Sequence, residues 1–81
     1  MTLTIKLFAA LRDLAGTDTV TVVLPDGATV GALRLELGNR LPLARSLLAR
    51  SAVAVNHDTT DDEHVLSPAD ECAVIPPVSG G

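Results

Sequence analysis

The chain of 81 residues has one cysteine, Cys72, one aromatic, Phe8, and neither tryptophan nor tyrosine. A single thiol excludes an internal disulfide framework and any all-cysteine metal or iron–sulfur site. A single ring leaves no platform on which nucleic-acid bases could stack. Lysine and arginine stop at Arg50. Residues 1–50 carry six basic and four acidic groups, residues 51–81 six acidic and none basic, and the net charge is −4. A nucleic-acid binder needs the opposite sign over a continuous patch. The longest apolar run, Leu7 to Leu11, is far short of the ~20 residues that span a bilayer. The opening stretch MTLTIKLFAALRD lacks the basic, apolar and small-residue order of a signal peptide, so the expected location is the cytoplasm.

What the chain does have is enough apolar mass for one core. Leu, Val, Ile and Phe supply 25 of its 81 residues, which argues against disorder. A chain this size buries about 60% of its unfolded surface, enough for one modest core but not for a deep enclosed active site as well.

Periodicity sets out the elements. Leu3, Ile5 and Leu7 alternate with Thr2, Thr4, Lys6 and Phe8, as in a half-buried strand. Ala9 to Ala15 breaks the alternation, with Leu11 and Leu14 at helical spacing and Gly16 as a stop. Thr19 to Leu24 alternates again and ends at the turn Pro25-Asp26-Gly27. Thr29 is an N-cap for a helix whose apolar stripe is Val30, Leu33, Leu37 and Leu41, ending at Gly38-Asn39 and Pro42. Leu43 to Ala49 adds a short helical turn, with Leu47 and Leu48 inward. Ser51 to Asn56 is a short buried strand, Asn56 to Glu63 a polar turn, and His64 to Leu66 a brief edge strand. After a turn at Pro68-Ala69-Asp70 comes a last strand, Cys72 to Ile75. Pro76 and Pro77 cannot continue a ladder, having no N–H to donate. The expectation is an α+β domain over residues 1–77, with one main helix on one face of a mixed sheet of four to five strands and short extra helical turns. Residues 78–81 form a flexible Gly-Gly tail.

Catalytic groups are scarce. His57 and His64 lie in an acidic loop without a second ligand pair at metal spacing. Asp58 to Glu63 lacks the sixth-position glycine and distal glutamate of a helix–loop–helix calcium site, and reads as a solvated loop. No bound metal is expected. The scattered glycines form no phosphate loop, and the serines have no evident His–Asp partners. Cys72, on a core strand, reads as a buried and inert thiol.

The carboxyl end stands apart. A chance Gly-Gly terminus occurs roughly once in 200 chains at average glycine usage. Pro76-Pro77 stiffen the exit from the sheet, and Val78, Ser79, Gly80 and Gly81 extend at most about 13–14 Å beyond it. Two residues without side chains can thread a narrow tunnel in a partner. They deliver an α-carboxylate, ionised at neutral pH and unreactive until activated.

LFAALRDLAG after the first strand, AVAVN in the middle and DE-x-x-x-I-PPVSGG at the end together resemble the small, sulfur-carrier subunits of molybdopterin synthase. The resemblance spans the chain from Leu7 to Gly81. It implies a β-grasp, ubiquitin-like fold. It implies that Gly81 is adenylated, with ATP, by an adenylyltransferase related to ubiquitin-activating proteins, and then converted to a thiocarboxylate. The tail would enter a large catalytic subunit, in a heterotetramer, and give its sulfur to the cyclic pyranopterin precursor of the molybdenum cofactor. The chain itself would be no enzyme and hold no cofactor. Family members often place an aromatic before the double proline, where this chain has Ile75, and Thr59 stands where an apolar contact would be expected. The implied interface is Phe8, Arg12, Ile75, Pro76 and Pro77, with Phe8 either anchor or ordinary core. Other readings are a carrier for thiamine, cysteine or tRNA thiolation, a ubiquitin-like modifier joined to lysines through Gly81, or a plain interaction module.

Overall fold

The computed structural model describes residues 1–77. The expectations for Val78, Ser79, Gly80 and Gly81 lie outside the described residues. Strand β1 (Thr2–Leu7) is followed by helix α1 (Ala9–Ala15), strand β2 (Thr19–Val23) and helix α2 (Val30–Arg40). A 3-10 turn (Pro42–Ala44) leads into helix α3 (Arg45–Arg50), and strands β3 (Ala52–Val55), β4 (Asp58–Thr60) and β5 (Cys72–Ile75) complete the chain. The sheet order is β2-β1-β5-β3-β4. The central β1 and β5 run parallel, and the other neighbours antiparallel.

The two-residue period of β1 puts Leu3, Ile5 and Leu7 on the inner face. Register sets Val22 opposite Leu3, Cys72 beside Ile5 and Val74 beside Leu7, with Val53 and Val55 continuing the rows on β3. The helical layer closes over this face with Leu11, Val30, Leu33, Leu37 and Leu48, all buried. The Thr29 hydroxyl accepts the Ala32 N–H at 3.2 Å and caps α2. Gly16, at a φ of 72°, ends α1 in the left-handed conformation and donates its N–H to Arg12 O. Arg34 fixes the layers to one another. Its Nη1 donates to Leu48 O at 2.6 Å and Ser51 O at 2.7 Å, and its Nε and Nη2 to Asp62 Oδ1.

Two boundaries differ from the sequence expectation. Gly38 and Asn39 do not end α2, which runs on to Arg40. Gly38 is buried beneath the Arg45 side chain, which also donates to the Gly38 carbonyl at 3.2 Å. The segment after Asn56 is not all turn. Asn56 and His57 both take positive φ, 53° and 73°, which makes a two-residue hairpin between Val55 and Asp58. Asp58–Thr60 is therefore the edge strand, while Val65 makes only an isolated bridge to Thr29. Among the described residues no helix is long and apolar enough to cross a membrane.

Candidate functional site

The sheet face turned away from the helices carries the candidate site. On β1 and β2 it presents threonines, Lys6 and the exposed Val23; on β3 and β5 it presents Ala52, Ala54, Ala73 and Ile75. Register aligns Lys6, Ala73, Ala54 and Thr59 in one row across four strands. Ile75 and Ala52 form the next row. Phe8 keeps an extended backbone, φ −125° and ψ 155°, so it continues the pleat of β1 on this same face. Ala9 then turns the chain into α1 with a φ of 50°, a conformation that costs an L-residue roughly 1–2 kcal/mol.

Phe8 and Ile75 are each 44% exposed. Phe8 is thus not core, and the open alternative resolves toward a surface residue. The two side chains line one end of a groove of about 270 Å³ floored by Ala54 and Ala73. His57 and Glu71 line the other end, where His57 Nε2 lies 3.2 Å from Glu71 Oε2. Pro76, buried, and Pro77, exposed, follow directly from Ile75. Lys6, Phe8 and Arg12 line an adjoining hollow of about 180 Å³. The structure therefore brings Phe8 and Ile75 to one end of one face, with exposed Pro77 close behind and Arg12 on the flank, while Pro76 is buried and adds nothing to the open surface.

The electrostatics are set by the strand ends. Ser67 N–H and the Asn56 side-chain amide both donate to Asp70 and hold its carboxyl below the usual carboxylate range. Burial pushes the Cys72 thiol up, and the Asp70 charge adds in the same direction. Cys72 is 2% exposed, so its placement is that of a core residue. Among the described residues no three His, Cys, Asp or Glu side chains gather where a metal ion could be held. The parts of the face that sequence reasoning missed are Lys6, Ala54, Ala73, His57 and Glu71. Their signal was the phase of alternation: Lys6 is in step with Phe8, and Ala73 with Ile75.

A five-stranded mixed sheet with parallel central strands and its helices on one side defines a ubiquitin-like β-grasp domain. The same fold is seen in the ubiquitin of Caldiarchaeum subterraneum, 17% identical, with a TM-score of 0.68 over 100% of this chain and 98% of that one. SAMP1 from Haloferax volcanii is 32% identical, with a TM-score of 0.88 over the whole of both chains. Within that class the chain belongs to the ThiS family, whose model matches residues 5–81. A molybdopterin synthase sulfur carrier subunit from Escherichia coli is 41% identical over 95% of this chain and 96% of its own. Another, from Arabidopsis thaliana, is 34% identical over 95% of this chain and 80% of its own.

Proposed function

We propose that this chain is the sulfur carrier subunit of a molybdopterin synthase. The observation that carries the reading is the likeness to sulfur carrier subunits of that synthase, 41% identical to the Escherichia coli protein over almost the whole length. The geometry supports it. The apolar end of the outer sheet face, at Phe8 and Ile75, adjoins the point where the chain leaves the sheet. A partner docked there holds the domain while it receives the tail.

In this reading the Gly81 carboxylate attacks the α-phosphorus of ATP in an activating adenylyltransferase, releasing pyrophosphate. Sulfide attacks the acyl carbon of the adenylate, the C–O bond to AMP breaks, AMP leaves, and a thiocarboxylate remains. An acyl phosphate makes this possible because the free carboxylate is a poor electrophile. The large subunit takes up Val78, Ser79, Gly80 and Gly81 and brings the thiocarboxylate to the cyclic pyranopterin precursor. The chain acts as donor, and the catalytic acids and bases belong to the large subunit. ATP is used by the activating enzyme and not held by the carrier, and the chemistry is that of the cytoplasm.

Mass spectrometry of the chain incubated with its activating enzyme, ATP and a sulfur source tests this. Replacement of one carboxylate oxygen by sulfur is expected, and none when one residue is added after Gly81. A fully active extended protein that had not been trimmed would overturn the mechanism. One observation favours a second reading, a protein modifier: the whole-chain likeness to SAMP1, TM-score 0.88, for a small archaeal modifier protein 1 of the same organism is also similar, at 0.85. Branched Gly-Gly-lysine peptides from cells would support it.

A further inference from the structure

The two edges of the sheet differ. The β4 edge is three residues long, contains Asp58 and runs into Asp61, Asp62 and Glu63, and a short charged edge resists pairing with another chain. The β2 edge, Thr19–Val23, has neither charge nor proline. Its backbone parity follows from the bonds at its two ends, Leu7 N–H to Asp18 O at 2.8 Å and Leu24 N–H to Met1 O at 2.9 Å. In an antiparallel pair every second residue bonds the neighbouring strand, so Val20 and Val22 face β1. Thr19, Thr21 and Val23 turn their N–H and C=O groups outward. Among the described residues only those of Thr19 are engaged, by the Thr17 hydroxyl at 3.4 and 3.2 Å. The Val23 side chain is 64% exposed.

We infer that the β2 edge pairs antiparallel with the β2 edge of a second copy of this chain, joining two sheets into one. The occupant follows from self-complementarity. With Thr21 opposite Thr21, Thr19 falls opposite Val23, and every outward-facing residue exchanges backbone bonds with an outward-facing partner. The side-chain pairs are then Thr21 with Thr21, Thr19 with Val23 and Val20 with Val22, all β-branched, a kind that stabilises a ladder. No like charges fall opposite each other. Asp18 meets Leu24, and Asp26 lies beyond the paired stretch. Asp18 shares a hollow with Lys6 and Arg12, and Asp26 lies 3.7 Å from the Met1 ammonium. The two-fold axis stands normal to the sheet, so both outer faces look one way, and Phe8 and Ile75 remain open in both copies. A seam of two short strands buries less than the ~1,200 Å² of a standard interface, so association is weak and follows concentration. The inference is independent of the sulfur-carrier reading.

Amide shifts and hydrogen exchange of the isotope-labelled full chain, followed from about 10 μM to about 2 mM, read the pairing residue by residue. The Thr21 and Val23 amides should shift and gain protection as concentration rises, while those of Val20 and Val22 are protected throughout. Thr21→Pro removes an outward N–H and no bond to β1, the one setting in which a strand tolerates proline. It should weaken self-association about tenfold or more and leave the melting temperature nearly unchanged. Val23→Lys places a charge on the edge and should weaken association to a similar degree; it carries the test should Thr21→Pro fail to fold. A chain that stays monomeric at about 2 mM overturns the inference. So does self-association that either folded variant leaves unchanged, or whose shifts fall elsewhere, as at the exposed Leu35 and Leu43. Edge amides that shift only when another protein is added, the large synthase subunit for instance, assign the edge to that protein and overturn self-pairing.

Discussion

Asn56 Nδ2 donates to Asp70 Oδ1 at 2.9 Å, and Asn56 Oδ1 accepts the Glu71 N–H at the same distance. The β3–β4 hairpin is thereby tied to the segment that feeds β5. Because Asp70 also accepts the Ser67 N–H, its ionised form is favoured in the folded state and its pKa is lowered. The unfolded chain therefore binds a proton at Asp70 before the native one does. The stabilisation is present above the ordinary carboxylate pKa of about 4 and lost as pH falls through the lower native value. Asp70→Asn should be less stable than the parent at pH 7, and the difference should close as pH falls below the ordinary carboxylate range and through the lower native value. Urea unfolding at a series of pH values checks this. A gap that stays constant down to the acid limb would contradict the assignment.

Cys72 should resist alkylation. Its thiol is buried on the inner face beside Ile5 and its pKa is raised, first by desolvation and then by the Asp70 charge. Iodoacetamide at pH 8 should label it only as fast as the protein unfolds, and rapidly in denaturant. Prompt stoichiometric labelling of the native protein would contradict its burial.

Phe8→Ala separates interface from core. At 44% exposure the ring should contribute about 1 kcal/mol to stability, well below the ~3–5 kcal/mol of a buried phenylalanine. Loss of a central apolar anchor commonly costs a complex ~2 kcal/mol or more, near thirtyfold in affinity. Leu33→Ala, fully buried beneath the sheet, should show the reverse order, losing ~2–5 kcal/mol of stability. Thermal melts and titration against the large subunit, run on both variants, distinguish the two residues.

The two glycines of α2 should respond differently to a methyl group. A Cβ on Gly38 would meet Arg45 side-chain atoms at 3.5 Å, ordinary contact with a flexible chain. Gly38→Ala should therefore stabilise by about 0.5–1 kcal/mol, the usual helix-interior gain. A Cβ on Gly31 would stand 3.3 Å from the Asp62 carbonyl oxygen, which also accepts the Gly31 N–H. Gly31→Ala should show no such gain. Chemical denaturation of the pair measures both.

The elements with strong periodicity were legible in the sequence. Leu3, Ile5 and Leu7 announced β1, Thr29 announced the start of α2, and Pro76-Pro77 announced the end of β5. Strand β4 was not, because Asp58-Thr59-Thr60 is polar and is followed by three acids, and its strand character comes from pairing with β3. The hairpin signal was weak, since Asn56-His57 replaces the usual Asn-Gly at two positive-φ positions. Gly38 looks like a helix stop because a glycine near a proline is the common sign of one, but α2 runs on to Arg40 and ends at Leu41, whose N–H donates to Leu37 O. For the site, Phe8 and Ile75 could be named from the chain, but the alanine floor could not. It exists only through the register that sets Ala73 beside Ala54, and register is a property of the folded sheet.

The parallel pairing of β1 with β5, in register from Ile5–Cys72 to Leu7–Val74, also governs how the domain bears load. A pull on Pro77 against an anchored Met1 runs lengthwise along both strands, so their hydrogen bonds are sheared together and cannot be unzipped one at a time. Pulling instead between β3 and β4, joined by a hairpin turn, would peel the pairs in succession. A pull on Pro77 along β5 thus loads the sheet in the mode where its central pair resists as a unit.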